Sequence, residues 1–189
     1  MSHDALDDRR KALEEEFFKK QNDSLLKKLG DDAAIAASRE DIARLTGIFN
    51  PTVLSALAGM KLGSAATLVM SLYPLVEVAW ADGTLDAAER KVVLEQAANL
   101  GIKSGSEAGA FLTRWLDERP ELNWHSLWAD YTRELVKKLA PEARELLKSE
   151  VLGRARLVAE ASGGIMGFGF SVSAAEKHVL GKLEQAFAS

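Results

Sequence analysis

Residues 62–81 read LGSAATLVMSLYPLVEVAWA, and the thirteen that follow, 82–94, read DGTLDAAERKVVL. The first stretch has the length of a membrane span, about 20 residues. Pro74 and Glu77 interrupt it, however, and Asp82 follows at once. A carboxylate near the middle of a spanning helix costs roughly 2–3 kcal/mol on insertion scales. The run therefore reads as a buried core helix rather than a span. The second stretch opens with a loop and continues as an amphipathic helix.

The flanking sequence is helical in pattern on both sides. Upstream, Asn50-Pro51 is a helix start, because Asn caps well and Pro is tolerated at the first helical position. Gly59 and Gly63 mark a bend before the apolar helix of 64–81. Ser38-Arg39-Glu40-Asp41 reads as the start of a short helix, with a hydroxyl cap and early acids. Gly30, Asp31 and Asp32 read as a stop. Residues 4–29 read as a densely charged helix with a thin apolar stripe of Leu6, Leu13, Phe17, Leu25 and Leu29. Downstream, helices are expected over about 86–100, 106–118, 123–139, 141–162 and 173–187, punctuated by Gly101, Pro120 and Pro141.

Strand signals are missing. There is no sustained alternation, and Asp82-Gly83 lies between helical patterns instead of between β-branched runs. The expected fold is all-α: a helical bundle of about seven to nine helices, with residues 1–33 as a charged helical arm and 34–189 as the helical domain.

Composition narrows the functional classes. Apolar residues at 47% and charged residues at 28% match an ordinary globular chain and exclude wholesale disorder. With no cysteine, disulfides, thiolate metal sites and cysteine nucleophiles are excluded. A net charge of −4 argues against a broad nucleic-acid surface. The N-terminus has no apolar segment behind a basic start, so a secretory signal is not expected, and the expected location is cytoplasmic.

Two segments repeat. Asp86-Ala87-Ala88-Glu89 matches Ser173-Ala174-Ala175-Glu176, each after a long apolar helix and each opening an amphipathic one. This implies two helix–loop–helix units packed as a pseudo-twofold pair. The first copy resembles the tellurite-resistance TerB-like family, whose signature is Ala-Asp-Gly-x-apolar-x-x-x-Glu between two helices. Ala81, Asp82, Gly83, Leu85 and Glu89 carry it here. The second copy departs from it: Gly163-Gly164-Ile165-Met166-Gly167-Phe168-Gly169-Phe170 replaces the Asp-Gly pair, and Glu176 survives. The resemblance spans roughly residues 52–187 and implies an all-helical, stress-linked domain whose clustered acids bind a divalent cation. Leu6–Ala12 also resembles the opening of a small bacterial ATP-synthase inhibitor family, a match too short to carry an activity.

Two readings of the acids stand side by side. As structure, Asp86-x-x-Glu89 and Ser173-x-x-Glu176 are capping boxes, in which each first side chain accepts from N3 and each Glu reaches back. As chemistry, Asp82, Asp86, Glu89 and Glu176 present oxygens to a hard cation such as Ca²⁺ or Mg²⁺. The loop is not an EF-hand, because Val93 stands where the twelfth-position Glu belongs. The Gly163–Phe170 run lacks the Lys-Ser/Thr of a P-loop and reads as an apolar loop over the core or a lip that binds an apolar partner.

His3, His125 and His178 have no metal-ligand spacing and read as structural. Trp124, Trp128 and Tyr131 share a helix face and read as core or rim packing, and Trp80 and Trp115 as core anchors. Glu77 is the odd charge in the apolar helix, pointing into the acidic cluster or pairing with a basic residue. No serine triad, catalytic carboxylate pair or nucleotide fingerprint stands out, so an enzyme is not expected. The expected function is a non-enzymatic, TerB-like accessory or scaffold protein with a cation at the acidic loop. The alternative is a protein-interaction module that docks or self-associates through its N-terminal amphipathic helix without metal.

Overall fold

The computed structural model describes residues 20, 24, 27–28, 30–121, 123–162 and 172–188. Among them there are eight helices and no strand. They are α1 (30–46), α2 (Pro51–Gly59), α3 (Ala65–Ala79), α4 (Ala87–Asn99), α5 (Glu107–Asp117), α6 (Asn123–Val136), α7 (Pro141–Ser162) and α8 (Ala174–Gln185). No helix among the described residues is long and apolar enough to cross a membrane.

Helix α3 is the expected core helix. It packs against α2, α4, α5, α6, α7 and α8. Val69, Met70, Leu72, Leu75, Val76 and Val78 are fully buried, and the helix runs through a buried Pro74. An apolar surface on all sides requires that enclosure. Around its C-terminal half, Tyr73, Phe111, Trp115 and Trp124 form an edge-to-face cluster. Ring centroids are 4.9 Å apart for Trp115–Trp124 and 5.6 Å for Tyr73–Trp115. Trp128 and Tyr131 are buried on α6, as their shared face implied.

The two helix–loop–helix units interlock. α3–α4 forms the first and α7–α8 the second, and α3 packs on α7. α4 of the first unit packs on α7, and α8 of the second packs on α3. That crosswise exchange is the reciprocity a pseudo-twofold pair requires. α4 and α8 each begin with a complete capping box.

Local signals fixed most boundaries. Asn50 Oδ1 accepts from the N–H groups of Thr52 and Val53, and Pro51 opens α2. One region differs. The stop expected at Gly30–Asp32 and the fresh start at Ser38 are absent, and α1 runs continuously over 30–46. Ala33, Ala34, Ala36 and Ala37 favour helix there. The left-handed residue that ends α1 is Gly47, at φ +68°, with its N–H 2.8 Å from the Ala43 carbonyl. Residues 33 and 34, on either side of the expected arm boundary, lie within this one helix. Of the 4–29 arm, residues 20, 24, 27 and 28 are described, and all are helical. The arm's apolar stripe, Leu6–Ala12, His3 and the Gly163–Phe170 run lie outside the described residues.

Candidate functional site

The acidic loop follows the end of α3. Asp82 Oδ1 accepts from the Thr84 backbone N–H at 2.9 Å and from its hydroxyl at 3.0 Å, a side-chain-closed turn. Gly83 supplies the left-handed step at φ +96°. Asp86 is extended and caps α4. Its Oδ1 accepts the Glu89 N–H at 2.8 Å, while Glu89 Oε2 accepts the Asp86 N–H at 2.9 Å. In the second unit, Ser173 Oγ accepts the Glu176 N–H at 3.2 Å, and Glu176 reaches back to the Ser173 N–H.

The structure therefore gives Asp82, Asp86, Glu89 and Glu176 distinct local tasks. Asp82 is exposed, whereas Glu89 and Glu176 are only 5% and 3% exposed. Among the described residues no three His, Asp or Glu side chains form a group able to hold a metal ion. Glu89 and Glu176 are close enough for the charge of Glu176 to act on Glu89. Burial pushes the Glu89 carboxyl up to about 7, and the charges of Asp86, Asp82 and Glu176 add to the rise. The Asp86 N–H opposes them. The neighbouring cation does not rescue the charged form, because Arg90 is spent elsewhere: it donates to the Leu116 carbonyl at 2.8 Å and pairs with Asp117 at 2.7 Å. Chemically, this loop holds helix starts together and keeps a proton near neutrality.

A second constellation lies on the other side of α3. Tyr73 and Glu77 are one helical turn apart, close enough for the Glu77 carboxylate to act on the Tyr73 hydroxyl. His125 on α6 places Nδ1 2.9 Å from Glu77 Oε1 and 3.0 Å from Oε2. The carboxylate accepts only, so it puts the ring proton on Nδ1 and leaves Nε2 as the nitrogen that Glu77 does not engage. Burial and the Glu77 charge push the Tyr73 hydroxyl far up, so it remains a donor. Of the two destinations expected for Glu77, the structure selects the basic partner. His125 was expected to be structural, and its tie to Glu77 was not foreseen. The usable signal was the i, i+4 spacing of Tyr73 and Glu77 on a mostly apolar helix.

These three groups border a cleft of about 270 Å³ between α3, α6, α8 and the 118–121 connection, with Arg119 and Lys182 at its rim. Comparison of the chain with protein-family models, curated proteins and solved structures finds no match in any of the three.

Proposed function

We propose that the chain is a non-enzymatic, cytoplasmic, TerB-like helical scaffold that pairs with a second copy of itself through α1. The signature at Ala81–Glu89 and the interlocked helical units support the class. The four loop acids serve as turn and cap residues in this reading, so the module works without a bound cation.

The observation that carries the reading is the apolar exposure at the C-terminal end of α1. Leu45 and Phe49 are 63% and 73% exposed, beside an apolar groove of about 600 Å³ that includes Ala43 and Leu54. The other end of the same helix is small: Ala33, Ala34, Ala36 and Ala37. Antiparallel pairing centred on Asp41 sets Leu45 against Ala37 of the second copy, and Phe49, just past the Gly47 turn, adds apolar surface beside that contact. The large Leu45 side chain then meets a small one, twice over. The flanking charges are mixed, Arg39, Glu40, Asp41 and Arg44, so the paired helices meet opposite signs as well as like ones.

Sedimentation velocity across a concentration series tests the pairing. Wild type is expected to show a reversible monomer–dimer equilibrium. The variant carrying both Leu45→Glu and Phe49→Glu is expected to stay monomeric with an unchanged circular dichroism spectrum, since both side chains are exposed. A wild-type monomer at all concentrations, or a dimer that survives both substitutions, overturns it.

A further inference from the structure

The Glu77–His125 cleft has the make-up of a small-ligand site, and no part of the scaffold reading uses it. Its floor is fixed. Glu77 is held by His125 from α6, with Tyr73 one helical turn away on its own helix. The Glu77 side chain is mostly buried and already bonded to His125. One wall is the indole of Trp80, itself anchored by Nε1 donating to the Trp115 carbonyl at 2.9 Å. Pro120, a rigid ring, forms another.

Two cations stand at the rim. Arg119 and Lys182 both line the cleft, and neither makes an ion pair or side-chain hydrogen bond with any of the described residues. Both are exposed. Lys148 pairs with Glu184 at 2.8 Å, and Arg90 with Asp117 at 2.7 Å. The one rim acid, Glu121, is exposed and also unpaired among the described residues. Arg119 comes from the 118–121 connection and Lys182 from α8, so the two converge from separate elements on one opening.

We propose that this cleft binds a small organic oxyanion, a carboxylate or a phosphate monoester, held between Arg119 and Lys182 with its apolar body against Trp80 and Pro120. Guanidinium and ammonium donors are the groups that recognise such anions, and their bonds are charge-assisted. A volume of about 270 Å³ falls just below the range of drug-sized ligands, roughly 300–1,000 Å³, and suits a metabolite with a single ring. The walls select for that ring: an indole face and a proline offer stacking area and no hydrogen bonds to the body of the ligand.

The test is a titration of the full, uniformly ¹⁵N-labelled chain followed by the indole N–H resonance of Trp80, with phenyl phosphate, benzoate and uncharged phenol as probes. Phenyl phosphate or benzoate is expected to shift that resonance saturably, and phenol is not. Whichever anion binds tells the phosphate from the carboxylate. Arg119→Ala and Lys182→Ala are each expected to weaken binding roughly tenfold, the effect of one charge-assisted hydrogen bond. Both residues are exposed, so the fold tolerates the changes. Absence of a saturable shift with either anion up to about 10 mM, a Kd range where even a single ion pair registers, overturns the proposal. So does equal binding of phenol, or unchanged affinity in both variants.

Discussion

Asp86 and Glu89 each accept the other's backbone N–H, at 2.8 and 2.9 Å, and of the two only Glu89 is buried. The bond to the Asp86 N–H survives protonation of Glu89, because a carboxylic acid keeps an acceptor oxygen. Holding the proton therefore removes the cost of a buried charge without dissolving the cap.

The first expectation follows with its sign. The Glu89 carboxyl sits at about 7 in the folded chain, against an ordinary 4.5. Between those values the folded state binds more protons than the unfolded one, so stability falls as pH rises. The contribution is fully present below pH 4.5 and lost as pH passes through about 7. Glu89→Gln keeps the capping box and removes the titration. The stability of wild type relative to Glu89→Gln should decline by up to about 3 kcal/mol over that window. Urea unfolding of both proteins between pH 4.5 and 8 measures it, and a flat difference contradicts the buried-proton account.

A second expectation separates cap from cation ligand. Asn caps nearly as well as Asp, so Asp86→Asn should lie within about 0.5 kcal/mol of wild type and Asp86→Ala should lose about 1 kcal/mol. If capping and turn closure are the only tasks of these acids, excess Ca²⁺ or Mg²⁺ after chelation should leave the wild-type melting point where it was. A rise in wild type that Asp82→Asn abolishes would instead make the loop a cation site. Asp82 is the sharpest probe because it closes the loop turn and does not cap α4.

The contrast between the two sites shows what a sequence conveys. Caps are local: Asn50-Pro51, Ser106 and the two boxes place their partners within three residues, so their residue types identify them. The same locality misled at Gly30 and Ser38, since a glycine at helical φ and one at φ +68° are the same letter. Ile42 and Ile48, both fully buried, anchor the chain on either side of the Gly47 turn that ends α1. Glu77 and His125 are 48 residues apart. Their contact depends on how α6 crosses α3, which periodicity does not encode. Arg119 and Lys182 are further apart still, and nothing in either neighbourhood marks a shared opening.

A third expectation concerns the C-terminus of α5. The helix ends at Asp117, so the carbonyls of Trp115 and Leu116 lack helical N–H partners. Trp80 Nε1 takes the first at 2.9 Å and Arg90 the second at 2.8 Å. Trp80→Phe keeps an aromatic ring against the core but leaves the Trp115 carbonyl without its donor. The expected loss is about 1–3 kcal/mol. Chemical denaturation measures it, and a loss below about 0.5 kcal/mol would mean that water replaces the indole there.

The last expectation sets two helical glycines against each other. Gly→Ala normally stabilises a helix interior by about 0.5–1 kcal/mol, because alanine loses less backbone entropy on folding. Gly153 lies exposed in α7, and an added Cβ meets nothing within 4 Å. Gly153→Ala should gain that amount. Gly109 is the third residue of α5 and is buried. A Cβ there would stand 2.2 Å from the Lys103 carbonyl oxygen and 2.9 Å from that of Ser104. Those atoms cannot simply move aside, because the Lys103 carbonyl accepts from the Ser106 N–H at 3.0 Å and from its hydroxyl at 2.7 Å. Ser106 in turn caps α5 through the Gly109 N–H at 3.1 Å. Shifting the turn to admit a methyl group therefore strains the cap as well. Overpacking of this kind costs about 1–3 kcal/mol, more than the propensity gain returns. Gly109→Ala should be destabilised and Gly153→Ala stabilised, two opposite signs from one chemical change. Parallel urea titrations of the two variants read the signs directly, and a stabilised Gly109→Ala would show that α5 does not sit against the 103–104 turn.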